Sequence, residues 1–469
     1  MSVTTTSTTT GTATARSASI NLLNTIIGSG MLAMSYGIKA NGIILGIFVI
    51  LFSALTSSFG LYLQSKCSKY VKEGHSSFFA LSQLTYPSLS IIFDLAIAIK
   101  CFGVGISYLV VIGDLMPRIM ETMVITDIVS NSNSYLLNRN FWITCFMIIV
   151  VPLSFLKKLD SLKYASMVAL SSVGYLIILV FVHFCERDIK DKGPIRIIEP
   201  QSFTKIISAF PIFVFGYTCH QNMFSLINEL EDKSSKNINK VIQTSIGIAA
   251  LSYVLVGLTG YITFGDNVGG NIIVMYPQSV SSTVGRIAIV ILVTLSYPLQ
   301  CHPCRASANH VFHYIKAVYI NNNKSNKNFL QKINNNHFVD QTNGSVSTEP
   351  TELAQEENIS TELLHIVPLE TPRFIILTTL ILIASYLLAI SVSSLEHVLA
   401  FVGSTGSTSI SFILPGIFGY KLIGSEKQPN EELTLFQRCL KWGSLALAAW
   451  GLIVMIVCLS ATIFLGAGH

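Results

Sequence analysis

Asn21-Leu22-Leu23-Asn24-Thr25-Ile26-Ile27-Gly28-Ser29-Gly30-Met31-Leu32 runs through the first long apolar segment of this chain. Two asparagines, a threonine and a Gly-Ser-Gly triplet add nothing to a helix that only has to cross a bilayer. Glycine costs about 1 kcal/mol against alanine inside a helix, and adjacent Gly and Ser mark helix breaks. The spacing predicts a span unwound at its middle. A second irregular stretch, Phe210-Pro211-Ile212-Phe213-Val214-Phe215-Gly216-Tyr217-Thr218-Cys219-His220-Gln221-Asn222, combines an interior proline with a glycine and a polar run. Broken helices aim free N–H groups and a positive dipole end at an anion, and their free carbonyls can hold an ammonium or a cation. The carboxylate and amine of an amino acid suit such a pair. The competing explanation is that small residues only let helices pack closely.

Other polar residues lie within apolar segments. An ionised side chain near the bilayer centre costs roughly 2.5–3.5 kcal/mol on insertion scales, so such groups face a cavity or a partner. Lys100 is the deepest of them and is expected to find its partner on another span. Asp94 and Asp114 lie nearer the ends of the same segment, where they are expected to reach water. His220 could respond to an acidic compartment or serve as a structural hydrogen bonder. Cys301-His302-Pro303-Cys304 has the CxxC spacing, but an apolar span offers none of the soluble α/β context that such redox sites use.

The elements that must carry these residues are transmembrane. Of 469 residues, 51% are hydrophobic and 12% charged, half the charge of ordinary soluble domains. Runs able to cross about 30 Å of hydrocarbon fall near 19–38, 42–65, 89–117, 141–156, 164–184, 204–227, 241–264, 284–308, 373–394, 397–420 and 442–465. These are numbered spans 1 to 11. With the N-terminus in the cytosol, the cytosolic connections hold fourteen Lys and Arg, and the long connection after span 8 brings six more, against nine outside. The positive-inside rule favours that orientation. Residues 1–18 read as a disordered Ser/Thr-rich cytosolic tail, 19–312 as spans 1–8, 313–372 as a polar Asn-rich cytosolic loop, and 373–469 as spans 9–11. No apolar leader precedes span 1, so no cleaved signal is expected. The sequons at Asn343 and Asn358 fall in that loop and are expected to stay unglycosylated.

Several functions are disfavoured. A net charge of +5 over this length argues against a nucleic-acid partner. No GxxxxGK[ST] loop is present, so ATP hydrolysis is not the energy source. No GxGD, HExxH or GxSxG motif points to an enzyme. No cofactor, metal site or disulfide framework is expected.

Taken together, Asn24-x-x-x-Gly28-Ser29-Gly30-Met31-Leu32-Ala33-Met34, Lys100-Cys101-Phe102-Gly103-Val104, Val111-Ile112-Gly113-Asp114-Leu115-Met116-Pro117, Phe210 to Phe215 with Cys219-His220-Gln221-Asn222, Gly260-Tyr261-x-x-Phe264-Gly265 and Gly403-Ser404-Thr405-Gly406-Ser407-Thr408 resemble the amino acid/auxin permease family, in its fungal vacuolar branch. The resemblance covers nearly all spans in order. It implies an all-α membrane protein of about eleven helices, a LeuT-type 5+5 inverted repeat with helices 1 and 6 broken, plus an eleventh helix. It also implies secondary active transport of amino acids. Gly28, Ser29 and Gly30 would take the substrate carboxylate, and Phe213, Val214, Phe215 and Gly216 the amine. Sodium-coupled relatives would use Asn24 with a hydroxyl of span 8, Thr294 or Ser296; the vacuolar branch looks proton-coupled, which brings in Lys100 and His220. The resulting expectation is proton-coupled export of amino acids from the vacuole lumen. The alternatives are sodium- or proton-coupled uptake at the plasma membrane, and an amino-acid sensor.

Overall fold

The computed structural model describes residues 13–123, 135–156, 163–186, 189, 192–335, 369–427 and 431–466. Most of the expected tail, and residues 336–368 with both sequons, lie outside the described residues. Two expected boundaries move. The first helix begins at Ala15, inside the expected tail, because the Thr14 hydroxyl caps it by accepting the Ser17 N–H at 3.3 Å. The helix of span 8 runs from Val280 through Asn335, well past residue 312. Neither proline nor glycine interrupts the chain between Ala306 and Asn335.

Among the described residues, eight helices are long and apolar enough to cross a membrane. They are span 2 (Ile43–Cys67), span 3 (Ser90–Met123), span 5 (Lys163–Glu186), span 7 (Ser235–Phe264), span 8, span 9 (Thr371–Ser391), span 10 (Leu395–Leu422) and span 11 (Leu435–Gly466). The other three crossings fall short for visible reasons. Span 1 is divided into Ala15–Ile26, Ser29–Leu32 and Met34–Asn41, and span 6 into Phe203–Gly216 and His220–Glu229. Span 4, Arg139–Ser154, is short and closes just after Pro152. The two divided crossings are the first and the sixth, as a 5+5 plan requires.

Spans 3 and 10 are innermost, each with 78% of its apolar window buried; spans 9 and 11 are peripheral at 28%. Leu55, Ile148, Leu251 and Ile456 are exposed and make up part of the lipid-facing surface. Spans 1 and 2 are joined by a single residue, Gly42, at φ 79°, whose N–H still closes on the Ile38 carbonyl at 2.8 Å. Only glycine takes that left-handed turn without strain.

Span 10 departs from an ordinary helix. Gly403–Ser407 and Ser409–Ile413 form wide π turns, and the Thr408 hydroxyl donates to the carbonyl five residues back, Gly403 O, at 2.6 Å. Glycines there allow two backbone contacts. A methyl on Gly403 would collide with the Pro211 carbonyl of span 6, and one on Gly406 with the Lys100 backbone of span 3.

The two aspartates of span 3 are largely buried and paired, where they were expected to stand free in water. Asp114 is paired with Arg139 at 3.1 Å, and Arg139 also donates to the Val392 carbonyl at 2.8 Å. Asp94 lies 3.4 Å from His310 of span 8. A carboxylate this far inside the bundle is held by a side-chain partner when one is in reach.

Candidate functional site

In span 1 the last regular hydrogen bond before the break runs from Ile27 N–H to Leu23 O, at 2.8 Å. Ile27 and Gly28 then leave the helical region, with Gly28 at φ −136° and ψ −144°. One short turn, Ser29–Leu32, is followed by a second interruption at Ala33. The Ser29 hydroxyl lies 2.9 Å from that of Ser107 on span 3, and Ser107 can also donate to Val104 O in its own helix at 2.8 Å. A methyl placed on Gly28 would be 3.6 Å from the Tyr108 hydroxyl, so that phenol faces the break.

In span 6 the interruption falls later than the sequence suggests. Phe213, Val214, Phe215 and Gly216 remain helical, and Tyr217, Thr218 and Cys219 form the break. The Thr218 hydroxyl accounts for part of this shift. It donates to Val214 O at 2.7 Å, competing with the backbone for a carbonyl of the last turn. Phe213 O accepts from Tyr217 N–H and Phe215 O from Thr218 N–H. The carbonyls expected to receive an amine therefore each hold one hydrogen bond already, with a second lone pair left over.

The two breaks meet. A methyl on Gly30 would stand 2.9 Å from Gly216 Cα and 3.2 Å from the Phe215 ring, so here the two backbones are in direct contact. Above this point sits Tyr253 of span 7, fully buried. Its hydroxyl lies 2.8 Å from Ile26 O and 2.7 Å from Gly216 O. A phenol has one proton, so it is shared between the carbonyl ends of the first half of span 1 and the first half of span 6. These carbonyl ends carry the negative pole of each half-helix, and the shared proton offsets it. Tyr253, Ser107 and Tyr108 were not singled out from the sequence. Tyrosine or serine in an apolar span looks the same whether it packs or positions.

Lys100 lies seven residues before Ser107, roughly 10 Å along the helix axis. It is 3% exposed and packed against Gly406 of span 10. Among the described residues it forms no ion pair, so the partner expected on another span is not a carboxylate there. His220 is fully buried with both ring nitrogens engaged. Nε2 is 3.1 Å from Ser57 O, so it carries the proton, and Nδ1 is 3.1 Å from the Ser411 hydroxyl. That network ties span 6 to spans 2 and 10.

The remaining ion-coupling candidates do not line the cleft beside the first break. Gly28, Ser29, Met31 and Leu32 border it together with Val173, Leu176, Ile289, Leu292 and Val293. Asn24, Thr294 and Ser296 are absent from its wall. The Thr294 hydroxyl donates to Val290 O of its own helix at 2.7 Å.

Two half-helices touching at the centre of an eleven-crossing helical bundle define a multi-pass membrane protein of the LeuT-type class. The structure of MhsT in complex with L-phenylalanine has the same fold, with a TM-score of 0.54 at 11% identity over 95% of this chain and 98% of that one. The chain belongs to the transmembrane amino acid transporter protein family, whose model matches residues 11–457. It is a transporter and not an enzyme. Similar proteins include vacuolar amino acid transporter 6 of Saccharomyces cerevisiae, 47% identical over 96% of this chain and 98% of that one. Vacuolar amino acid transporter 5 of the same yeast is 44% identical over the same shares.

Proposed function

We propose that this protein is a proton-coupled exporter that moves amino acids from the vacuole lumen to the cytosol, with its N-terminus in the cytosol. The observation that carries the transport reading is the contact of Gly30 with Gly216, which brings two interrupted helices to one point. Substrate carboxylate is assigned to the Gly28-Ser29-Gly30 turn, where the first N–H groups of a helical turn have no preceding acceptor. The amine is assigned to the carbonyl ends at Phe213 to Gly216. The vacuolar assignment rests on the relatives named above, each matched along nearly its full length.

The proton reading rests on a buried amine. Lys100 is a buried amine without a carboxylate partner among the described residues, and we assign it to the coupling path.

The test is efflux of labelled acidic, neutral and basic amino acids from vacuolar vesicles, with the lumen acidified by ATP or left neutral. Acidification should speed efflux of at least one class, and a protonophore should abolish the gain. Efflux indifferent to the gradient for all three classes would overturn proton coupling.

A further inference from the structure

A second polar site lies away from the paired breaks, beside span 8, where span 4 ends and span 9 begins. Arg305 of span 8 is its centre. It is 3% exposed, yet it lines a cavity of about 220 Å³ with His302, Ala306, Leu369 and Phe374. That is room for several waters or a small anion. Between Val280 and Arg305 the helix rises about 37 Å, more than the hydrocarbon thickness of about 30 Å. Arg305 therefore sits at headgroup depth, on the face where span 4 ends at Ser154 and span 9 begins at Thr371.

The guanidinium is held but not neutralised. Nη1 donates to Ser154 O and to the Thr378 hydroxyl, each at 3.0 Å, and the cation stands over the Phe374 ring, 4.0 Å from its centroid. Among the described residues Arg305 has no carboxylate partner, and Nε and Nη2 donate to nothing. The nearby acid, Glu370, is turned to Arg373 at 3.3 Å. A buried cation calls for a counter-charge, and a planar guanidinium with two donors still free matches the paired oxygens of a phosphate. The start of span 9 adds to this. Its N-cap, Glu370, makes no side-chain cap, so the positive end of a 21-residue helix opens near the same cavity. Ile375 and Ile376, next to Phe374, are about half exposed and offer an apolar path for an acyl chain.

We infer that the cavity around Arg305 binds a phosphate-bearing anion at the membrane surface, with His302 and the start of span 9 completing the site. His302 belongs to the Cys301-His302-Pro303-Cys304 run, so this reading gives that motif a role other than redox chemistry. Basic pockets between spans at headgroup depth are the usual place for acidic lipid headgroups.

The test uses the full chain in nanodiscs and reads its thermal midpoint. Phosphatidic acid in a phosphatidylcholine background should raise Tm relative to phosphatidylcholine alone. Arg305→Gln should weaken that binding by about tenfold or more, as expected for loss of a charged hydrogen-bonding partner. Because Arg305 also ties spans 4 and 9 together, Ala306→Phe serves as the second variant; it fills the cavity and leaves the Nη1 bonds in place. It should abolish the shift without lowering Tm in phosphatidylcholine. Inorganic phosphate raising Tm equally would assign the site to a soluble phosphate, and no effect of phosphate beside an effect of the lipid would assign it to a headgroup. No shift with either probe, or a shift that persists in both variants, would overturn the inference.

Discussion

Gly30→Ala puts the contact between the breaks to a direct test. The added methyl would stand 2.9 Å from Gly216 Cα and 3.2 Å from the Phe215 ring. Carbon atoms settle at about 3.5–4.0 Å, so the two half-helices must separate by roughly 0.6–1 Å. Overpacking of this kind costs about 1–3 kcal/mol, which depopulates the arrangement in which the two segments touch by roughly five- to 150-fold. The penalty falls on the state in which the breaks touch, so transport should drop while the protein still folds. Gly247→Ala, on span 7, is the internal control. Its methyl would meet nothing within 4 Å. It should change transport little, within about 0.5 kcal/mol. Counterflow of a labelled amino acid in proteoliposomes, normalised to folded protein by size exclusion, reads both variants. Wild-type counterflow in Gly30→Ala, or equal damage from Gly247→Ala, would refute the argument.

Two further perturbations follow from the contacts around the site. Tyr253→Phe leaves Ile26 O and Gly216 O buried without their shared donor, a loss of about 1–3 kcal/mol. Counterflow should fall at least fivefold, and unchanged counterflow would show that the phenol only packs. Ala13→Pro removes the N–H that donates to Glu229 O at 3.0 Å and ties the start of span 1 to the end of span 6. Amide exchange across residues 15–26 should speed up by about fivefold for a bond worth about 1 kcal/mol; identical exchange would mean that the tie does not hold span 1.

The break in span 1 was legible because Gly28-Ser29-Gly30 is costly in any helix and nothing nearby offsets it. The break in span 6 was legible only to within a turn. Pro211 is accommodated inside the helix, and the hydroxyl of Thr218, two residues past the expected carbonyls, takes Val214 O in place of a backbone donor. A side-chain rotamer decides that choice, and periodicity carries no record of it. Asp94 and Asp114 illustrate a related limit. Their depth was readable, but their partners come from residues 216 and 25 positions away, and pairing over such distances is set by how spans pack. The π turns of span 10 were invisible for the same reason, since Gly403 and Gly406 look like weak hydropathy until Pro211 and Lys100 are set beside them. Tyr253 shows the limit most sharply. Its hydroxyl matters through two carbonyls on two other spans, and no pattern within span 7 announces them.

The single-residue turn at Gly42 bears on how this protein is made. Span 1 is too interrupted to partition firmly into lipid by itself, whereas span 2 is a long helix with a mean hydropathy of 2.2. With only Gly42 between them, the two emerge from the ribosome as one helical hairpin, and the strongly apolar arm carries the weak one into the bilayer. The polar break thus survives biogenesis because its neighbour is tethered too closely to insert without it. Lengthening that turn with a flexible insert would leave the transport residues untouched and lower the amount of protein reaching the membrane.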